Sequence, residues 1–550
     1  MGDAPLILGV SGLRGIVGES LTPEVAVRYA AAFGAWLEDQ IAGQREPLVM
    51  VARDGRAGGE AVYTAVISAL LATGCRVRRL GIAMTPSAGV VTDSRQGDAC
   101  LIITASHNPQ EWNGIKILLN RRAWELGDSD ARGGADGVSD ACAPDAETAQ
   151  EIIDAFHAGR CSWAPQHHVE SSSVDDDVED THCLRTLNAA ERVFDVSNYW
   201  DMVDGGVRTV VVDAVNASGV NIDDCFFDDT PVQMIAIAGG LSGIFPHIPE
   251  PTAENLSGAG GLCDAVPGLK ADVGFAQDPD GDRLAIVDER GRYIGEEYTL
   301  AIAAEAILGA MQVNGELVGG EDPSPRPSPP RGEGGRGDPH AGREREESEP
   351  RASARAGRQP VLVTNLSTSR MIEDVAAAYG ARVERTAVGE ANVVERMKAL
   401  KAAGEHCVLG GEGNGGVIWP EVTYVRDSLG AMALTLGLMA REGKTVSEIV
   451  SKINGYARGG GYAIVKRKQA LASKPDAEPA VRRIADRYAG ERVDTQDGVR
   501  VDFDAGERAG SWVHVRASNT EPILRLIGEA ADETAAGALL DEVAGIVNES

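Results

Sequence analysis

The sequence predicts an α/β protein: three similar α/β domains with mixed, mostly parallel sheets, followed by a smaller C-terminal α+β domain. Three observations carry this. The chain has 550 residues, more than one hydrophobic core accommodates, so several domains are expected. A unit of apolar strand, polar turn, amphipathic helix, Gly and second apolar strand recurs along it, the alternation of parallel sheets covered by helices. The last hundred residues break this alternation, with strand-like runs at 461–466 and 512–516 before a terminal helix.

In the first unit the strand 48–51 leads into Arg53-Asp54-Gly55-Arg56, a helix-like segment, Gly74 and the strand 75–80. The strand 210–213 begins a second unit. In another, the strand 361–364 precedes a helix around 371–379, then Gly380 and the strand 381–385. In that helix Met371, Ile372, Val375, Ala378 and Tyr379 fall on one face. The divisions expected are 1–180, 181–300, 301–445 and 446–550. Residues 321–360 hold 8 Pro, 6 Gly and 8 Arg with no aliphatic or aromatic side chain beyond Ala, and read as a disordered insertion in the third domain. Residues 170–180 hold six acidic residues and no basic one, and read as a solvated loop or linker.

Composition narrows the function. Hydrophobic residues make up 43% and charged residues 25%, an ordinary globular balance. The net charge of −31 argues against nucleic acid or an anionic membrane as partner, and demands a local cationic cluster if the ligand is a phosphate ester. Eight cysteines with no metal-ligand spacing read as reduced thiols. With no apolar run of about 18 residues and no signal peptide, a cytoplasmic protein is expected. Met1-Gly2 does not complete a myristoylation signal, because Leu6 stands where Ser or Thr is required.

Four loops carry candidate chemistry. In Thr104-Ala105-Ser106-His107-Asn108-Pro109 an apolar strand ends in a small polar turn, placing Ser106 at the strand's carboxyl edge, where α/β sheets keep their sites. A serine hydroxyl needs a base or cation to act as nucleophile, and His107 and Lys116 lie close in sequence. A turn serine beside a surface histidine fits the same segment. In Asp278-Pro279-Asp280-Gly281-Asp282-Arg283, three alternate carboxylates can converge on one hard cation. Calcium fits poorly, because Arg283 occupies the position where an EF-hand turn needs Gly, and the flanks read as strands. Mg²⁺ shared with a phosphate oxygen and a purely structural acidic turn remain. Gly410-Gly411-Glu412-Gly413-Asn414-Gly415-Gly416 reads either as a loop whose Glu412 and Asn414 bind sugar hydroxyls or as a flexible turn. Arg516-Ala517-Ser518-Asn519-Thr520-Glu521-Pro522 with Arg525 reads either as an anion nest between two arginines or as a solvent-facing hairpin.

Taken together, these loops resemble the α-D-phosphohexomutase family over nearly the whole chain, the two odd segments excepted. The resemblance implies four domains around a central cleft. It implies that Ser106 is the phosphorylated nucleophile, and that Asp278, Asp280 and Asp282 hold one Mg²⁺ with an oxygen of that phosphoserine. Lys116 matches the family's candidate proton-transfer lysine, while Arg14, Arg53 and His107 lie near the nucleophile. Arg283, Glu412 and Asn414 bind substrate, and Arg516, Ser518, Asn519, Thr520 and Arg525 hold the non-reacting phosphate. The reaction implied moves a phosphoryl group between the 1 and 6 positions of a hexose or hexosamine phosphate, with a sugar 1,6-bisphosphate as activator.

Three departures mark this chain. Gly389-Glu390-Ala391 stands where many members carry Gly-His, so a second acid/base from that loop is in question. The sugar loop reads Glu-Gly-Asn-Gly-Gly, which is similar to archaeal-type phosphoglucosamine mutases, and Ala517 replaces a common Pro. Phosphoglucosamine mutase is the first expectation and phosphomannomutase/phosphoglucomutase the second. A serine-based sugar phosphatase and a non-catalytic sugar-phosphate sensor are the rivals. The distal anion nest argues against the phosphatase, and the complete set of reactive residues argues against the sensor.

Overall fold

The computed structural model describes residues 5–41, 45–126, 140–165, 171–317, 358–457, 460–518 and 522–548, arranged around four sheets. The first contains β1 (Ile7–Gly9), β2 (Gly12–Ile16), β3 (Leu48–Arg53), β4 (Arg76–Ile82), β5 (Ala99–Ile103), β6 (Trp112–Leu119) and β7 (Ser173–Val174), in the order β1-β2-β6-β5-β3-β4-β7. β5, β3, β4 and β7 run parallel, and β6, β2 and β1 are added antiparallel. β5 reads Ala-Cys-Leu-Ile-Ile and is buried throughout, as a strand covered on both faces must be. Each such aliphatic side chain stabilises the fold by about 1.5–3 kcal/mol.

The second sheet contains β8 (Thr209–Asp213), β9 (Gln233–Ala236), β10 (Val273–Gln277) and β11 (Leu284–Val287), in the order β11-β10-β8-β9. The third contains β12 (Pro360–Asn365), β13 (Arg382–Thr386), β14 (His406–Glu412) and β15 (Gly416–Ile418), in the order β13-β12-β14-β15. Each has three parallel strands and one antiparallel strand at its edge. The last sheet is wholly antiparallel: β16 (Ala463–Ala470), β17 (Arg492–Asp494), β18 (Val499–Asp502), β19 (Trp512–Ala517) and β20 (Ile523–Ala530), in the order β16-β20-β19-β18-β17. The expected three α/β units and terminal α+β unit are therefore present.

The repetition fixes where the four candidate loops sit. β5 turns into antiparallel β6, β10 into β11, and β14 into β15, and each turn leaves the carboxyl end of a strand with a parallel neighbour. The loop between β19 and β20 closes a fourth antiparallel pair. The last sheet is fastened to the third unit by Arg500, whose Nη1 donates to the carbonyls of Leu366 at 2.5 Å and Thr368 at 3.2 Å.

Two expectations change. The expected divisions at 180 and 300 fall inside the continuous helices Val178–Phe194 and Glu296–Val313. The acidic stretch expected as a solvated linker is structured over its described part, 171–180. It supplies β7, the start of the helix Val178–Phe194, and Asp175, which pairs with Arg78 at 3.3 Å and Arg95 at 3.0 Å. Glu179 and Asp180 occupy the first turn of that helix, where negative charge meets the positive end of the helix dipole. The expected insertion lies outside the described residues, apart from 358–360. Among the described residues no helix is long and apolar enough to cross a membrane.

Candidate active site

Ser106 follows β5 with φ of 50°, a left-handed conformation that costs a non-glycine residue energy and persists only where surroundings enforce it. Here the enforcement is a closed ring of contacts. The Ser106 N–H donates to Thr104 Oγ1 at 2.8 Å, the Thr104 hydroxyl donates to Asp54 Oδ2 at 2.8 Å, and Arg56 Nε donates to the same oxygen at 3.1 Å. Arg56 Nη2 closes the ring on the Ser106 carbonyl, and its Nη1 donates to the carbonyls of Asn108, Pro109 and Trp112. Arg56 thus holds the backbone of the whole loop, and its own side chain is buried.

The strand pair brings the other groups of this loop together. Ile102 lies opposite Lys116, and the Thr104 N–H donates to the Gly114 carbonyl. A Cβ on Gly114 would stand 2.4 Å from the Leu13 carbonyl oxygen and 2.7 Å from that of Thr104, so glycine is what lets β2, β6 and the loop approach. Arg14 on β2 donates from Nη1 to Asn108 Oδ1 at 3.1 Å. His107 Nδ1 lies 3.2 Å from Ser106 Oγ, and burial together with the Arg283 charge lowers its pKa to about 3, so the ring is neutral. Arg53, expected beside the nucleophile, ends β3 with its Nη2 on Glu60 at 2.9 Å.

Ser106 Oγ donates to Asp278 Oδ2 at 2.8 Å, which joins the first unit to the loop between β10 and β11. Asp278, Asp280 and Asp282 are buried, with one oxygen from each within 4.8 Å of the others. Asp278 Oδ1 accepts the N–H groups of Asp282 and Arg283, both at 3.1 Å, which curls the loop. At Gly281 φ is +65°, and a Cβ would stand 2.1 Å from Met84 Sδ. Lys116 Nζ donates to Asp280 Oδ2 at 2.8 Å and Asp282 Oδ2 at 2.9 Å. Burial works against its charge, but these two carboxylates overcome it and hold the ammonium above the usual lysine range. Burial and the neighbouring Asp282 and Asp280 charges push Asp278 well above the usual carboxyl range. Lys116 takes the Oδ2 atoms of Asp280 and Asp282, while Asp280 Oδ1 and Asp282 Oδ1 are buried with no hydrogen-bond partner. This donor set of hard oxygens suits one divalent ion.

Arg426, which the sequence reading did not select, ties this loop to the third unit. Its Nη2 donates to Asp282 Oδ2 at 2.6 Å, its Nη1 to Glu412 Oε2 at 2.8 Å, and its Nε lies 3.2 Å from Glu390 Oε2. Glu390, in the Gly389-Glu390-Ala391 turn, thus stands at the site, bound to an arginine. Glu412 ends β14, and its Oε1 also accepts Asn365 Nδ2 at 2.8 Å. Asn414 Nδ2 lies 3.5 Å from Glu412 Oε2, and its Oδ1 accepts the Gly416 N–H. Arg283 follows the acidic loop, with Nε 3.8 Å from Asp282 Oδ1.

In the last sheet Arg516 on β19 lies opposite Arg525 on β20, and Arg525 lies opposite Lys468 on β16. Side chains opposite one another share a face, so three cations form a row, in which Arg516 Nη1 also lies 3.4 Å from Asp497 Oδ2. Lys468 was not selected from sequence. Ser518 begins the adjoining loop, its N–H donating to the Ile523 carbonyl at 3.0 Å. Asn519 and Thr520 lie outside the described residues.

The comparisons with known proteins agree with this layout. Four family models match in order: phosphoglucomutase/phosphomannomutase α/β/α domain I over residues 5–129, domain II over 195–291, domain III over 349–456 and the C-terminal domain over 463–546. A phosphoglucomutase/phosphomannomutase of Thermococcus kodakarensis is 31% identical over 536 residues, 97% of each chain. A probable phosphoglucosamine mutase of Methanopyrus kandleri is 31% identical over 544 residues, 98% of this chain and 97% of its own. Among solved structures, a phosphoglucomutase/phosphomannomutase family protein of Burkholderia thailandensis shares the fold with a TM-score of 0.66 at 22% identity, covering 98% of both chains. With every domain matched in sequence order and a relative 31% identical over 97% of each chain, the chain belongs to the phosphoglucomutase/phosphomannomutase family of phosphohexomutases.

Proposed function

We propose that this enzyme moves a phosphoryl group between the 1 and 6 positions of a hexose phosphate, through a phosphoserine at Ser106 and a sugar bisphosphate. The observation that carries the reading is the 2.8 Å hydrogen bond from Ser106 Oγ to Asp278, which sets a strained, rigidly held serine against a buried acidic triad. Asp278, Asp280 and Asp282 would hold one Mg²⁺, for which the Oδ1 atoms of Asp280 and Asp282, buried without a hydrogen bond, are suited. Bound there, the ion supplies charge neutralisation for the transferring phosphoryl group, where phosphoryl-transfer catalysis mainly comes from.

The chain's own residues do the rest. Arg56 and Thr104 aim the serine, while Arg14 and Arg283 add positive charge beside it. The family resemblance assigns proton transfer at the reacting hydroxyl to Lys116. Glu412 and Asn414 face the sugar hydroxyls. Glu412 already serves Asn365 and Arg426, which fixes its carboxylate in one orientation. Arg516, Arg525 and Ser518, with Asn519 and Thr520 of the same loop, grip the phosphate that does not react. The phosphoserine gives its phosphoryl group to the free hydroxyl of the substrate. The resulting bisphosphate turns over and returns its other phosphoryl group to Ser106, so a 1,6-bisphosphate also primes the unphosphorylated enzyme.

A hexosamine 6-phosphate, with glucosamine first, is the substrate favoured by the Glu-Gly-Asn-Gly-Gly loop and by the name of the Methanopyrus relative. The Thermococcus relative's name supports the second reading, glucose or mannose phosphates. Assays of glucosamine, glucose and mannose 6-phosphates, each with its matching 1,6-bisphosphate, test both. Steady release of inorganic phosphate without any 1-phosphate product would replace the mutase reading with a phosphatase.

A further inference from the structure

We infer, on the reading of Asp278, Asp280 and Asp282 as a metal site, that His182 is a positioning residue that sets the metal loop through a buried Ser87–His182–Asp427 relay. His182 Nδ1 lies 2.9 Å from Ser87 Oγ, and its Nε2 lies 3.1 Å from Asp427 Oδ2. All three are at most 1% exposed. The Asp427 carboxylate accepts only, and its Oδ1 already takes the Leu429 N–H at the head of the helix Ser428–Glu442. Nε2 therefore carries a proton and donates it to Asp427, while Nδ1 shares a hydrogen bond with the Ser87 hydroxyl.

Each end of the relay adjoins a grip on the metal loop. Two residues before Ser87, Thr85 donates from its N–H to the Asp280 carbonyl and from Oγ1 to Asp280 Oδ2, both at 2.8 Å. On either side of Asp427, Arg426 donates to Asp282 Oδ2 at 2.6 Å and the Ser428 N–H donates to the Gly281 carbonyl at 3.1 Å. The helix Thr85–Ser94 of the first unit and the helix Ser428–Glu442 of the third thus hold residues 280–282 from two directions. His182, from the connecting helix Val178–Phe194, ties one grip to the other. An apolar side chain would fill the same volume without the cost of burying two polar nitrogens, but it would leave the two helices free to slide. Two directional bonds on one rigid ring fix their spacing, and with it the separation of the Asp280 and Asp282 carboxylates.

Mn²⁺ binding to the full chain, read as loss of the free-ion electron paramagnetic resonance signal, tests this without relying on turnover. His182→Gln keeps a donor toward Asp427, His182→Asn keeps a contact toward Ser87, and His182→Ala removes both. The half-variants are expected to weaken Mn²⁺ binding by about threefold to tenfold and His182→Ala by more, as loss of outer-shell partners does. In the mutase assay kcat is expected to fall while KM for the sugar phosphate stays within about twofold. Should His182→Ala not fold, the two half-variants decide. Half-variants that melt earlier yet bind Mn²⁺ like the parent would show a merely structural histidine and overturn the inference. A parent chain that binds no Mn²⁺ would instead overturn the metal reading, and the inference with it.

Discussion

Ser106 Oγ and Asp278 Oδ2 meet at 2.8 Å although 172 residues separate them, because each leaves the carboxyl end of a parallel strand into the same kind of hairpin corner. The contact makes a hydroxyl available at the edge of an acidic site. Ser106→Ala is expected to keep the fold and lower mutase turnover by about 10³-fold or more, since the neighbouring Thr104 hydroxyl is committed to Asp54. Intact mass should show the phosphorylated species disappear in the variant. Full activity in that variant would end the phosphoserine mechanism.

Arg56 carries the second prediction. It and Asp54 are each 1% exposed, and Arg56 reaches four loop carbonyls besides its carboxylate partner. Arg56→Ala leaves Asp54 buried without its cation and is expected to cost about 3–5 kcal/mol of stability. Arg56→Lys retains a charge but cannot span the same carbonyls. It is expected to recover part of the melting temperature while turnover stays depressed by about 10²-fold, through a misplaced Ser106. Equal recovery of melting temperature and turnover would show that charge alone, and not the fork of donors, holds the loop.

The contrast between Ser106 and Arg56 shows what the sequence could reveal. The four loops announce themselves by local chemistry: a small polar turn after an apolar strand, three alternate carboxylates, clustered glycines, and arginines flanking hydroxyl and amide residues. The strands and helices around them follow from apolar periodicity. Arg426 was hidden because its partners are remote, Asp282 lying 144 residues away, and the role of Arg56 because the Ser106 carbonyl it holds lies 50 residues away, far beyond its neighbour Asp54. The available signal was a demand for charge, since Asp282, Glu412 and Glu390 cannot all be buried in one place without a cation between them. The same reasoning applies in reverse at 175–180. A run of carboxylates reads as solvated until Arg78 and Arg95, distant in sequence, are seen beside Asp175.

Lys468 gives a prediction about binding rather than chemistry. It completes the row with Arg525 and Arg516 across β16, β20 and β19, and it is exposed, so its removal costs the fold little. Lys468→Ala is expected to raise KM for the sugar phosphate by about threefold to tenfold with kcat nearly unchanged, the mark of a contact made equally in ground and transition states. The increase should shrink at high ionic strength, because an exposed charge is screened. An unchanged KM at low salt would remove Lys468 from the phosphate site.

Glu297 supplies the pH dependence. It sits in the first turn of the helix Glu296–Val313, its Oε2 accepts the Ser369 N–H at 2.9 Å, and a Cβ on Gly413 would lie 1.9 Å from that oxygen. Burial raises its pKa from the usual 4.5 to about 8, opposed by Lys466 and reinforced by Glu296 and Glu529. Between those two values the folded chain keeps a proton at Glu297 that the unfolded chain has released, so unfolding gains stability-lowering weight as pH rises. This contribution is complete below about pH 4.5 and is lost as pH climbs through about 8, with a slope of at most about 1.4 kcal/mol per pH unit. Glu297→Gln mimics the protonated carboxyl and should remove that slope. Denaturant unfolding of parent and variant at about pH 5.5 and about pH 7.5 isolates the effect, because every other titration cancels in the difference. The variant should gain stability relative to the parent at the higher pH. A constant difference between them would place the Glu297 proton elsewhere.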